Sequence, residues 1–321
     1  MNSQLVTVFG ASGFLGRHIV RGLARQGYRV RAVVRRPNNA NHLPPMGHVG
    51  QIQLFRGNVQ DQDRVAAALA GANLAINLTG ILYQRGEQTF ESIHERSAGA
   101  IAEEARRAGC MALVHVSAMG ANPASESRYA SSKGRGEERV REAFPGAVIL
   151  RPSIVFGPED QFFNRFAALA RVSPILPLIG GGTTKFQPVF VGDVASAALC
   201  ALQDGTHAGK VFELGGPGVL TFRELMEFVL RETARRRILM SIPFPVAMTQ
   251  AFFLQFLPNP LLTPDQVRLL RTANVVPEGA LALTDLGIVP TSIEAEVPAY
   301  LWRYRSRGQY QVPDANEARS V

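Results

Sequence analysis

The sequence predicts an α/β fold, a doubly wound parallel sheet with helices on its faces. Three observations carry that expectation. Leu5-Val6-Thr7-Val8-Phe9 is a short apolar, β-compatible run; Gly10-Ala11-Ser12-Gly13-Phe14-Leu15-Gly16 follows it as a glycine turn; residues 17–26 are helix-compatible and lead through Gly27 to a second apolar run at 29–34. Strand, glycine turn, helix and strand at this spacing make one β-α-β unit. With 321 residues, 46% hydrophobic and 19% charged, the chain can bury a sizeable core as one large domain or two closely joined ones.

Composition removes several function classes. Cys110 and Cys200 are far apart and show no C-x-x-C spacing, which excludes a disulfide scaffold and a cysteine-rich zinc module. His18, His42, His48, His94, His115 and His207 form no H-E-x-x-H or other paired ligand pattern, so no metal site is expected. Net charge is +8, and only Lys133, Lys185 and Lys210 among the 34 basic residues are lysine. Such a surface suits an anionic partner, whether nucleotide, acidic lipid or acidic protein, although arginine throughout is also what a GC-rich coding sequence produces. Nucleic-acid binding is not expected. Met1 stands four residues before the first strand, so no signal or transit peptide is expected ahead of it.

The glycine turn has a specific chemistry. Gly10 permits the tight turn, Gly13 lets the backbone approach a pyrophosphate, and Gly16 lets the helix lie close to the sheet, with phosphate at the helix N-terminus. Ser12, Phe14, Leu15 and Arg17 join these glycines as candidate cofactor contacts. Enzymes that use NAD place an acid at the end of the second strand for the ribose hydroxyls. Here Val34-Arg35-Arg36-Pro37 stands instead. A guanidinium binds a 2′-phosphate through paired charge-assisted hydrogen bonds, so Arg35 or Arg36, with Arg17, points to NADPH/NADP, and NAD is disfavoured. Residues 38–50, with Pro44, Pro45 and two glycines, read as a surface loop.

The G-x-x-G-x-x-G spacing resembles the short-chain dehydrogenase/reductase superfamily in its extended or atypical branches. Gly57-Asn58-Val59, Asn77-Leu78-Thr79-Gly80, Tyr129-Ala130-Ser131-Ser132-Lys133 and Arg151-Pro152-Ser153-Ile154-Val155-Phe156-Gly157-Pro158 follow in the superfamily's order. The resemblance implies a Rossmann-type cofactor site with Asn58 and Val59 near the adenine. It adds Leu78, Thr79, Gly80, Tyr129, Lys133, Pro152 and Ile154 toward the nicotinamide. Tyr129 and Lys133 lie at i and i+4 on one helix face, so Lys133 can hold the ribose and favour ionisation of the Tyr129 phenol. The usual third group, a Ser or Thr after the fifth strand, aligns with Ala118 or Met119. Ser117 serves in its place if the register shifts; otherwise it is a strand-end residue bonded to backbone.

Extended members add a smaller, discontinuous C-terminal α/β domain. The resemblance therefore implies a large domain from 1–156 and 186–216, a small substrate-type or docking domain from 157–185 and 217–300, and a basic tail at 301–321, with the ligand cleft between the two domains. Residues 238–262 carry no charge, and a 12-residue helix is expected at 246–257, between Pro243, Pro245 and Pro258, Pro260. A membrane span needs about 20 residues. Such a helix suits a membrane interface or a hydrophobic partner, with Arg303, Arg305 and Arg307 facing acidic headgroups; the alternative is core packing with a solvated tail.

Further segments narrow the resemblance: Phe144-Pro145, the stretch 157–166, Gln187-Pro188-Val189-Phe190-Val191-Gly192-Asp193-Val194, the stretch 262–267 and Asp285-Leu286-Gly287-Ile288. These resemble, over nearly the whole chain, the nucleotide-binding accessory subunit of respiratory complex I and its bacterial relatives. That family implies tightly held NADPH without established turnover and complex I subunits as partners. Its place is the peripheral arm, on the cytoplasmic face of an inner membrane or the matrix side of an organelle. The expected function is a non-catalytic accessory or assembly subunit. The alternative is an NADPH-dependent reductase, epimerase or dehydratase using Tyr129, Lys133 and Ser117 on a nucleotide sugar, quinone or isoprenoid-like substrate. A third reading is a sensor of the NADPH/NADP⁺ ratio.

Overall fold

Strand β1 (Leu5–Phe9) is buried from Val6 to Phe9, as a central parallel strand must be when crossover helices cover the sheet on both sides. In the computed structural model, residues 4–203, 205–257 and 260–310 are described. They divide into two units, the first drawn from Met1–Pro152, Val191–Leu214 and Pro277–Val289, the second from Ser153–Phe190, Gly215–Val276 and Pro290–Val321.

In the first unit β1 is followed by α1 (Phe14–Arg25), β2 (Arg29–Val34), β3 (Ile52–Arg56), α2 (Gln62–Leu69), β4 (Leu74–Asn77), α3 (Ser97–Arg107), β5 (Ala112–Val116), α4 (Arg128–Ala143) and β6 (Val148–Pro152). The helix Val191–Gln203 and the strand Val211–Leu214 complete it. The seven strands pair in the order Val211–Leu214, β6, β5, β4, β1, β2, β3, and every pairing is parallel. After β3 the chain crosses to the other side of β1, so the winding reverses between β1 and β4, where doubly wound sheets open a ligand crevice. Phe9, Leu69, Ile101, Leu113 and Val140 form one core beneath α2, α3 and α4. Elsewhere α1 meets the helix Val191–Gln203 so closely that a Cβ on Gly22 would lie 3.0 Å from Leu199 Cδ2.

A buried ionic network ties α4 to the far strands. Arg151 on β6 donates to both carboxylate oxygens of Glu137 at 2.9 and 2.6 Å and to Glu213 at 2.9 Å. Burial pushes the Glu213 carboxyl above its ordinary range, and its bonds to Arg151 oppose that shift. The guanidinium rises in turn, chiefly through its bond to Glu137.

Several local expectations change. The helix begins at Phe14, three residues earlier than the glycine spacing implies. The expected loop at 38–50 contains part of one 3-10 turn, Pro37–Ala40, and all of another, Pro44–Met46, with Ala40 and Leu43 fully buried. Residues Glu91–Arg96 form a π-helix leading into α3. Residues 277–289, expected in the smaller domain, group with the first unit, where Glu213 N donates to Leu281 O at 2.8 Å. The second unit begins at Ser153 instead of 157.

The second unit is built from short ladders and helices. Ile175–Ile179 pairs in parallel with Ile238–Ile242, and Lys185–Phe186 pairs antiparallel with Leu220–Thr221. Helix Phe222–Glu232 starts with a capping box between Thr221 and Glu224, which satisfies two otherwise orphaned N–H groups. Phe156, Phe163, Phe222 and Phe228 fill its core, several of them edge to face.

The uncharged stretch forms a helix at Phe244–Leu254, two residues earlier than expected at its start and three shorter at its end. Only Ala247 and Ala251 are buried along it, in a small cluster with Ile179, Ile242 and Val267. Phe244 and Met248 pack against that cluster, so one face of the helix takes up the core-packing alternative, while Phe252, Phe253, Phe256 and Leu257 are exposed. The basic tail is also altered. Arg303 donates to Pro158 O at 3.0 Å and to Asn164 Oδ1, and Arg305 donates to Glu232 O at 2.7 Å with its side chain 10% exposed. The Arg305 guanidinium is therefore held within the second unit, whereas Arg303 is tethered by its hydrogen bonds but stays exposed; residues 311–321 of the expected tail lie outside the described residues.

Candidate cofactor site in the first unit

The glycine turn closes when Gly13 N donates to Gly10 O at 3.0 Å. Gly10 has φ +79°, and a Cβ there would stand 3.2 Å from the Leu78 carbonyl carbon just past β4, so a side chain is excluded by conformation and by space. A Cβ on Gly16 would lie 2.4 Å from the carbonyl oxygens of both Gly10 and Ala11. Gly16 therefore lets the helix lie against the backbone that leaves the end of β1. Gly13 is the N-cap of α1, supplies no capping side chain, and no acid occupies the first turn. The first-turn N–H groups keep their capacity for an anion. Ser12, Phe14, Leu15 and Arg17 surround this turn, all partly accessible.

At the carboxyl ends of β2 and β3, Arg35, Arg36 and Asn58 are exposed and Val59 is half-buried. A depression of about 520 Å³ there is lined by Arg35, Arg56, Gly57, Asn58, Asp61 and Arg64. Arg56 and Arg64 belong to no motif of the sequence reading. Strand register places Arg56 beside Val34, and Arg64 stands in the first turn of α2.

Tyr129 and Lys133 stand on α4, whose N-cap Ser127 accepts from Ala130 N. Lys133 is buried and donates to Val116 O at 3.2 Å. Burial lowers its ammonium to about 8, against the pull of Glu137. A Cβ on Gly80 would lie 3.4 Å from Lys133 Nζ, so the segment after β4 and the lysine share one corner. Thr79 N and Oγ1 both donate to Asn77 Oδ1, at 3.0 and 2.6 Å.

His94, on the π-helix, organises the Tyr129 side of that corner. Its Nε2 accepts from Ile81 N at 2.9 Å, and its Nδ1 lies 2.9 Å from Ser132 Oγ, which itself donates to Tyr129 O at 2.8 Å. The serine proton is committed, so His94 carries its own proton on Nδ1. Its ring stacks on Phe90 at 5.4 Å and meets the Tyr129 ring edge-on at 5.3 Å. Burial, reinforced by Lys133, drives His94 down to about 2. His115 on β5 falls to about 3 for the same two reasons. The π-helix comes this close because Gly136 has no side chain: a Cβ there would meet His94 O at 1.9 Å. A lone histidine carried no motif signal, and only its three-dimensional contacts reveal this role.

Ser117 lies one residue past β5. Its N donates to Leu150 O at 2.8 Å, while its buried Oγ has no hydrogen-bond partner among the described residues. Ala118 and Met119 follow, with Met119 N bonded to Pro152 O at 3.0 Å. Pro152 ends β6; Ile154 belongs to the second unit, where it accepts from Val189 N at 2.9 Å. No group of His, Cys, Asp and Glu able to hold a metal occurs among the described residues. An uncapped helix N-terminus, a glycine cradle that a Cβ would fill and a buried lysine suit a nicotinamide dinucleotide.

Comparison with known proteins agrees with this arrangement. A family model described as the NAD dependent epimerase/dehydratase family matches residues 6–215. The chain is 39% identical over 319 residues to the mitochondrial NADH dehydrogenase [ubiquinone] 1 alpha subcomplex subunit 9 of Arabidopsis thaliana, covering 95% of this chain and 79% of that one. It is 34% identical over 318 residues to the mitochondrial NADH-ubiquinone oxidoreductase 40 kDa subunit of Neurospora crassa, covering 99% and 84%. Among solved structures it is similar to an NADPH-dependent quinone oxidoreductase from Escherichia coli complexed with NADPH, with TM-score 0.74, 18% identity and coverage of 93% and 100%. That last likeness is one of fold.

Proposed function

This chain belongs to the NAD-dependent epimerase/dehydratase family, and from that premise we propose that it is an NADP(H)-binding accessory or assembly subunit of respiratory NADH:ubiquinone oxidoreductase in which the bound dinucleotide stabilises the fold. The observation that carries the reading is the near full-length similarity to subunits of that complex, joined to a phosphate turn with every required glycine in place. Residues 10–17 hold the pyrophosphate, Arg35 and Arg36 the 2′-phosphate, Asn58 and Val59 the adenine, and Lys133 the ribose, with Leu78, Thr79, Gly80, Tyr129 and Pro152 nearer the nicotinamide. Ala118 and Met119, standing where a catalytic hydroxyl is usual, support a role in binding without turnover.

The exposed apolar residues of Phe244–Leu254 and the turn after it supply the docking surface, against a partner subunit or the membrane interface. No helix among the described residues is long and apolar enough to cross a membrane. The protein is placed on the face of the membrane that carries the complex's peripheral arm. Tagging the chain in its host, solubilising membranes gently and running a native gel tests this. Comigration with NADH dehydrogenase activity is expected, and a tagged protein found only apart from that activity overturns the reading.

One observation favours an enzyme as the second reading. The Tyr129 ring meets the stacked Phe90 and His94 rings edge-on, at 5.9 and 5.3 Å, on the same helix as a lysine whose ammonium burial has lowered to about 8. The bound nicotinamide would supply hydride chemistry, while the chain's own part would be proton delivery at the Tyr129 hydroxyl and, from Ser117 Oγ, a hydrogen bond to a substrate oxygen. An NADPH-consuming activity abolished in Tyr129→Phe with cofactor affinity intact would establish this reading over the first.

A further inference from the structure

Arginines gather where β2 and β3 end. Val34 and Arg56 are register partners, so Arg35 and Arg36 leave the sheet directly beside Arg56. Two adjoining depressions share Arg35 and Arg56. The larger, about 520 Å³, adds Gly57, Asn58, Asp61 and Arg64; the other, about 400 Å³, adds Arg36, Pro37, Asn38 and Asn39.

Their charge balance differs. Asp61 lines the first depression, and its side chain caps α2 by accepting from Arg64 N at 3.1 Å. The residues lining the second include no acid. The side chains of Arg35, Arg36 and Arg56 have no hydrogen bond or ion pair with any described residue, although Arg96, Arg107, Arg135, Arg139 and Arg151 all reach carboxylates. Guanidiniums gathered without a counter-ion repel one another, and an anion seated among them removes that repulsion.

We propose that Arg56 is a specificity-determining residue that completes, with Arg35 and Arg36, a three-guanidinium seat for a phosphate monoester, the 2′-phosphate of NADP(H). The acid-free depression takes the phosphate, and the neighbouring one, with Asn58 and the engaged Asp61, takes the uncharged adenine. Planar guanidiniums from two strands can grip different oxygens of one phosphate, which a single loop arginine cannot do. This inference rests on the NADP(H) reading above and adds a residue from a strand that the glycine motif does not reach.

Calorimetric titration of the full chain with NADPH, NADH and 2′,5′-ADP tests it. Arg56→Gln is expected to weaken NADPH and 2′,5′-ADP about tenfold while NADH binding holds, the loss of roughly one charge-assisted contact. Retained NADH binding also reports that the variant is folded. Arg56→Lys is expected to fall between the two, keeping charge and losing the fork. Equal weakening of NADPH and NADH, or no change in either, overturns the role of Arg56. A wild-type chain with no preference for NADPH overturns the NADP(H) reading itself and this inference with it. A wild-type preference that Arg35→Gln removes and Arg56→Gln leaves intact overturns Arg56 alone.

Discussion

Two regions of this molecule invert the usual rule of burial in opposite directions. Around α4 the first unit hides Lys133, His94, His115 and Glu137, while on Phe244–Leu254 and the turn after it the second unit displays Phe252, Phe253, Phe256 and Leu257. Buried polar groups are tolerated where each finds a partner, and Glu137 with Arg151, His94 with Ile81 and Ser132, and Lys133 with Val116 all do. The exposed aromatics meet one another, Phe252 lying edge-on to Phe253 at 5.5 Å and to Phe256 at 5.8 Å, and only Ala247 and Ala251 of that helix are buried. Polar groups that close on themselves build a site, whereas apolar groups left open await a surface.

The largest expected effect breaks the closed region. Arg151→Met strands Glu213 without its counter-ion and leaves Glu137 only its 3.5 Å contact with Arg141, and denaturant unfolding should show a loss of about 3–5 kcal/mol. Gly136→Ala drives a methyl into the His94 carbonyl and should lower stability by about 1–3 kcal/mol or more. It should also weaken dinucleotide binding in the same titration, because His94 aligns Tyr129.

Saturating cofactor sharpens the comparison from the ligand side. NADPH at 100 times its Kd should raise stability by about 2.7 kcal/mol in a melting experiment, and Arg35→Ala should shrink the gain from NADPH toward that from NADH. An unchanged melting curve would count against dinucleotide binding.

Acid tests the buried histidines. Both ordinarily titrate near 6.5 but are held neutral in the fold, down to about 2 for His94 and about 3 for His115. The unfolded chain therefore takes up protons first as pH falls below 6.5. Stability should drop by up to about 1.4 kcal/mol per pH unit for each histidine until the folded values are reached. His94→Gln should flatten that slope relative to wild type.

The smallest effect is expected in the open region. Phe253→Ser should change the isolated protein's unfolding by no more than about 0.5 kcal/mol, yet remove its comigration with the respiratory complex. A large loss of intrinsic stability would instead show that this helix packs within its own unit.

Local pattern made much of the first unit legible. The glycine turn, the second strand and the i, i+4 pairing of Tyr129 with Lys133 depend on neighbours in sequence, and each stands where spacing implied. What escaped depends on contacts between distant segments. Arg56 acquires meaning from strand register, His94 from the missing side chain of Gly136, and residues 277–289 from a backbone bond to Glu213. Arg303 and Arg305 read as a free basic run because their partners, Asn164 and Glu232, lie far off in sequence.

The π-helix at Glu91–Arg96 has a consequence for how this chain can vary in length. A π-turn holds one residue more than the α-turn it replaces. Deleting a single residue here would restore regular winding, swing everything before it by about 100° around the helix axis and carry Phe90 off the face that meets Tyr129. The segment can exchange side chains at its exposed positions, but its residue count is part of the site.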